Sequence, residues 1–99
     1  MPYVIETWDR PNSFPLRLEA RPEHLDYLAK HASFLLACGA KLNDDGKDLG
    51  GGLYVVDTEE RDVAQAFIEA DPFYKVGLFE KINMTRWRKA YVDGICFLG

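Results

Sequence analysis

Strand-like and helix-like segments follow one another as strand, helix, strand, strand, helix, strand, and this order predicts an α+β fold of the ferredoxin-like, split βαβ kind. In that arrangement two helices cover one face of an antiparallel sheet. A turn-rich stretch from Asn43 to Gly52 joins the middle strands as a long hairpin. The length of 99 residues confines the chain to one domain, with a core over residues 3–91 and an apolar C-terminal extension over 92–99.

Tyr3 to Trp8 is rich in β-branched and aromatic residues and stops at the turn signal Asp9-Arg10-Pro11-Asn12, so it is the first strand. Arg10 to Glu19 contains Pro11 and Pro15 together with Asn12-Ser13, which predicts an ordered loop held down by Leu16 and Leu18. Arg21-Pro22-Glu23 reads as a helix start, because proline is tolerated in the first turn and an acid favours the positive end of the helix dipole. Leu25, Leu28, Ala32, Leu35 and Leu36 then recur at helical spacing, giving a first helix from Pro22 to Cys38 with Gly39 as its cap.

Leu53 to Asp57 is the next clear strand, and Thr58 supplies an N-cap for a second helix. Val63, Ala64, Phe67 and Ile68 form its apolar stripe, and Asp71-Pro72 ends it, since a residue before proline is driven out of the α region. Phe73 to Gly77 is a connector. Leu78 to Trp87 alternates, with Leu78, Ile82 and Met84 on one face and Phe79, Lys81, Asn83 and Thr85 on the other. Val4, Glu6 and Trp8 face away from Tyr3, Ile5 and Thr7, so both sides of the first strand carry large apolar groups. A second copy of the chain is the expected cover for the helix-free side, and the tail from Tyr91 to Gly99 is expected to pack on that dimer or to pair with a sheet edge.

Composition narrows the partners. Twelve Lys and Arg against sixteen Asp and Glu leave a net charge of -4, which lacks the positive excess that drives nucleic-acid binding. The longest apolar run, Phe34 to Cys38, falls far short of the roughly 20 residues that span a bilayer. Cys38 and Cys96 stand apart with no metal-ligand spacing, the pattern of buried, reduced cysteines in a cytoplasmic protein.

His24 and His31 are the side chains whose ordinary pKa lies near neutrality. They sit seven residues apart on the first helix, and His24, beside the loop-helix junction, is the better candidate for proton transfer. His31 reads as a helix-surface residue. Asp44, Asp45 and Asp48 lie in glycine-rich sequence that favours a solvated turn over metal ligation. Gly50-Gly51-Gly52 lacks the spacing of a phosphate-binding loop and reads as a turn. The cluster Arg86, Arg88 and Lys89 around Trp87 reads as a solvated strand end. Asp71, before Pro72, has an extended backbone that aims its carboxylate away from the helix it terminates, although a solvated helix stop is an equal reading of the same spacing.

The motifs Arg17-Leu18, Arg21-Pro22-Glu23-His24-Leu25, the glycine-rich stretch, Ala70-Asp71-Pro72-Phe73-Tyr74, Gly77-Leu78-Phe79 and Trp87-Arg88-Lys89 occur in this order, and the chain resembles the YCII-related domain family over about residues 3–91. The resemblance implies a dimeric ferredoxin-like fold, akin to a dimeric α/β barrel, whose cleft holds a His–Asp pair, here His24 and Asp71. It further implies substrate contacts from Arg17, Arg21, Tyr27, Gly51, Gly52 and Phe73, with the arginines as anion partners, and neither a metal nor another cofactor. Family members often carry a serine where this chain reads Gly51-Gly52-Leu53, and the extension beyond Tyr91 has no clear counterpart.

Two functions compete at this point. In the first, a small cytoplasmic enzyme uses His24 and Asp71 for proton transfer or elimination on a small ring or oxygen-rich compound. In the second, the same pocket belongs to a non-catalytic ligand-binding or accessory domain. Fold alone does not choose between them.

Overall fold

The computed structural model describes all residues from Met1 to Gly99. β1 (Tyr3–Asp9), β2 (Leu35–Leu42), β3 (Asp48–Val56) and β4 (Phe79–Arg86) form one sheet in the order β2-β3-β1-β4, with every neighbouring pair antiparallel. The parallel strands β1 and β2 are thus split by β3, as the element order predicts. α1 (Phe14–Lys30), α2 (Arg61–Glu69) and the short α3 (Pro72–Lys75) connect them. Tyr3, Ile5, Tyr54 and Val56 point from the sheet into a core completed by Ala20, Ala64, Phe67, Ile68, Phe73, Leu78 and Phe79.

α1 departs most from the sequence expectation. It begins at Phe14 rather than Pro22, so Phe14 to Glu19 of the expected loop is helical, and it ends at Lys30. Pro15 occupies the opening turn, where a missing N–H costs nothing, and Pro22 is carried inside the helix. After a 3₁₀ turn at Ala32–Phe34, the apolar run that resembled a helix end pairs as β2 against β3, and Gly39 lies within that strand. A short apolar run fits either period, so only its partner strand decides.

Gly50, Gly51 and Gly52 belong to β3 instead of a turn. Gly51 has φ +126°, and a Cβ there would lie 2.0 Å from the Thr7 carbonyl oxygen. Only glycine permits that approach of the backbones. α2 starts at Arg61 with Glu60 at its N-cap; the Thr58 hydroxyl accepts from the Glu60 N–H at 3.2 Å in the preceding turn. At the end of β4, Lys81 pairs with Trp8 and Phe79 with Asp9, leaving Glu80 as an extra residue. That bulge turns Phe79 into the core, contrary to the face its alternation predicts.

The tail pairs with itself. β5 (Tyr91–Val92) and β6 (Ile95–Cys96) make a small hairpin that adds nothing to the main sheet, and Tyr91, Ile95, Phe97 and Leu98 are exposed. Cys38 and Cys96 are both free and exposed, not buried as expected. No helix is long and apolar enough to cross a membrane.

Candidate active site

α1 inverts the usual amphipathic pattern. Arg17, Ala20 and His24 face inward, while Phe14, Leu18 and Leu25 remain exposed. Arg17, Arg21, His24 and Leu28 recur at helical spacing and together form one wall of a cleft of about 230 Å³. The opposite wall and floor come from Thr7 of β1, Cys38 and Ala40 of β2, Gly52 and Tyr54 of β3, and Phe73 and Phe79. The inward polar stripe therefore lines this cleft.

At its inner end His24 Nδ1 lies 2.8 Å from Asp71 Oδ1 and 3.0 Å from Oδ2, and both residues are buried. Asp71 precedes Pro72 with φ -64° and ψ 131°, the extended backbone that proline demands, and caps α3 by accepting the Phe73 N–H at 2.9 Å. The Tyr54 hydroxyl donates to Asp71 Oδ2 at 3.0 Å. The Phe73 ring stacks on the imidazole, with centroids 3.8 Å apart and planes 13° from parallel. His24 is mid-helix rather than in the first turn. Its partner is the carboxylate.

Arg17 is buried and donates to Asp9 Oδ2 at 2.9 Å, while its guanidinium lies 4.8 Å from the Phe73 centroid. Its charge is thus already matched by Asp9, whereas the exposed Arg21 makes no ion pair and keeps its charge for the cleft mouth. Asp9 Oδ1 is buried without a hydrogen-bond partner. Burial raises the Asp9 pKa, outweighing the opposing pull of Arg17. Burial, with the charge of Asp71 second, pushes the Cys38 thiol up to about 11 and raises the Tyr54 phenol far above its ordinary value. Both therefore stay protonated near neutrality.

Of the residues expected to contact substrate, Arg17, Arg21, Gly52 and Phe73 line the cleft with His24. Gly51 packs against the Thr7 carbonyl outside that lining, and Tyr27 lies elsewhere, its hydroxyl donating to the Phe67 carbonyl at 2.7 Å. Tyr27 instead lines a small apolar groove with His31 and Phe34. Tyr54, Thr7 and Cys38 carry no recognisable motif; strand register is what brings them to the cleft. Asp44 and Asp45 are exposed on the turn after β2. A larger, open groove of about 540 Å³ along β4 carries Arg10, Arg61 and Lys81 but no histidine. The chemistry therefore points to the smaller cleft.

The sequence profile of the YCII-related domain matches residues 1–88. The chain belongs to this family. It is 31% identical over 98 residues to the curated Protein YciI of Escherichia coli, covering 92% of this chain and 100% of the relative, and it matches Protein YciI of Shigella flexneri equally well. Among solved structures it is similar to the 5-chloro-2-hydroxyhydroquinone dehydrochlorinase of Burkholderia phenoliruptrix in complex with 2,5-dihydroxybenzoquinone. The TM-score is 0.81 at 33% identity, covering 89% of this chain and 94% of that one. An antibiotic biosynthesis monooxygenase shares the fold alone, with a TM-score of 0.52 at 12% identity over 90% of this chain and 100% of its own. The YCII-related chain thus has the ferredoxin-like α+β architecture its element order predicts.

Proposed function

We propose that this YCII-related protein is a small enzyme in which His24 and Asp71 act as a proton-transfer dyad on a small, oxygen-rich ring compound of the hydroxylated quinone or hydroquinone class. The observation that carries the reading is the buried His24–Asp71 contact at the end of a cleft open to solvent. The similarity to a dehydrochlorinase supports the reaction class and a small ring substrate.

With Nδ1 engaged by Asp71, His24 Nε2 is the nitrogen left to meet substrate. It takes a proton from the bound ring; the electron pair left behind moves toward the carbon bearing the leaving group, and that bond breaks to release the group as an anion. Asp71 stabilises the imidazolium so formed. Arg21 pairs with an oxyanion of the substrate at the mouth, and Phe73, Phe79 and Leu28 supply the apolar walls that hold a flat ring.

The reading includes a homodimer through the helix-free face of the sheet and a cytoplasmic setting. Val4 and Leu53 lie on that face, and both cysteines are free thiols.

Chlorinated and unchlorinated hydroquinones, catechols and ring lactones are to be screened with wild type and His24→Ala, following chloride release and ultraviolet absorbance. Turnover that falls by about 10²-fold or more in His24→Ala is expected. Binding without product that survives His24→Ala would overturn the enzymatic reading in favour of a ligand-binding domain.

A further inference from the structure

We propose that Tyr54 is a positioning residue that holds the Asp71 carboxylate in the orientation in which it accepts from His24 Nδ1–H. The inference rests on His24 and Asp71 being the working pair.

Asp71 is fully buried, and each of its oxygens has a donor besides the imidazole: the Phe73 N–H on Oδ1 and the Tyr54 hydroxyl on Oδ2. A backbone N–H can only donate. Tyr54 has Asp71 as its hydrogen-bond partner and is 3% exposed, so its hydroxyl is committed to the carboxylate. A carboxylate is acceptor-only, so it engages His24 by accepting from Nδ1–H, and its two other donors set the orientation in which it does so. The neutral ring then presents Nε2 as a free base to the cleft. The Phe73 N–H pins one oxygen through the backbone of α3, but Tyr54 is what holds the other and stops the carboxylate from turning about its last torsion.

The placement of Tyr54 is a consequence of topology. It stands opposite Ile5 of β1 and Cys38 of β2 in the sheet, whereas His24 is on α1 and Asp71 caps α3. It thus ties the sheet to the dyad, and its ring meets the imidazole edge-on with centroids 6.3 Å apart. The other charged or titratable groups around the pair are Arg17, Arg21 and Tyr27 on α1 and Cys38 on β2, with Asp9 of β1 matching Arg17 and the Tyr27 hydroxyl donating to the Phe67 carbonyl. None of them hydrogen-bonds Asp71.

The test reads the ring nitrogens of His24 by long-range proton–nitrogen NMR in wild type, Tyr54→Phe, Asp71→Asn and the double variant. Wild type is expected to show the Nδ1–H tautomer, and Tyr54→Phe a displaced Nδ1–H resonance, because the carboxylate it bonds to is free to turn. In the Asp71→Asn background Tyr54→Phe is expected to add no further change, because its effect passes through the carboxylate. Unchanged His24 signals in Tyr54→Phe, or an equal change with and without Asp71, would overturn the proposal.

Should Tyr54→Phe fail to fold, 3-fluorotyrosine provides the second measurement. Its more acidic hydroxyl competes more strongly for Asp71, and the His24 Nδ1–H resonance moves upfield; an unmoved resonance overturns the proposal. These readouts need no substrate, so a failure of the screen above leaves them interpretable. Where a substrate is found, Tyr54→Phe is expected to lower kcat about tenfold, the net worth of one hydrogen bond, with KM nearly unchanged.

Discussion

Asp71 fixes His24 twice. It holds the imidazole directly through Nδ1, and by accepting the Phe73 N–H it also sets the ring that stacks on the imidazole face at 3.8 Å. A single carboxylate on a proline-ended turn therefore controls both the direction and the plane of the histidine. Replacing Asp71 by Asn keeps the shape but leaves one accepting oxygen. Urea unfolding is expected to show a loss of about 1–3 kcal/mol; a variant as stable as wild type would mean that these contacts contribute little net energy.

The Asp9–Arg17 ion pair is nearly as enclosed, with side chains 5% and 9% exposed. Arg17→Met strands a buried carboxylate, and a loss of about 3–5 kcal/mol is expected. Adding Asp9→Leu should recover most of it, because a matched apolar pair leaves no charge uncompensated. If the double variant is no better than Arg17→Met, the pair is held by something other than charge matching.

The pH dependence of the same carboxyl has a definite sign. The folded pKa of Asp9 lies above its ordinary 3.8, so the native state binds this proton more tightly than the unfolded chain. Ionising Asp9 therefore removes stability as pH rises from below 3.8 through the folded value, and acidification restores it. Against Asp9→Asn, wild type should lose relative stability over that rise in urea titrations. A relative gain would contradict the burial argument.

Cys38 is exposed as a residue, yet its thiol faces the cleft and is pushed up to about 11 by burial and then by the charge of Asp71. Against an ordinary thiol value of 9.0, its thiolate fraction at pH 8 falls about 100-fold. Iodoacetamide labelling followed by mass spectrometry should show slow reaction at pH 8 and acceleration toward pH 11. Asp71→Asn should speed the reaction at pH 8. Labelling at the rate of a free peptide thiol would rule this out.

Gly51 and Gly39 make a matched pair of substitutions. A Cβ at Gly51 would collide with the Thr7 carbonyl carbon at 2.9 Å and its oxygen at 2.0 Å, on a backbone with φ +126°, whereas a Cβ at Gly39 meets nothing within 4 Å. Gly51→Ala is expected to cost more than about 2 kcal/mol and Gly39→Ala well under 1 kcal/mol by urea unfolding. Equal effects would mean that β1 and β3 separate easily at this point.

The amino-acid sequence by itself determined the order of elements, and with it the sheet of β1, β3 and β4 and the apolar stripe of α2. It offered His24 as a candidate and Asp71 as either a site residue or a solvated helix stop, and the family resemblance, not a local signal, is what joined the two. Tertiary structure decided the rest. The Leu35–Leu42 segment has a period that suits helix or strand, and pairing with β3 made it a strand; the prolines of α1 could open or occupy a helix, and packing against α3 made them part of one. Strand register then placed Tyr54, Thr7 and Cys38 around the cleft and bent Phe79 inward at the β4 bulge. The physical reason is common to all of these. Local propensity acts over one turn or a few residues, whereas register and helix packing depend on which distant apolar faces can be buried together, and those contacts exist only once the chain has closed on itself.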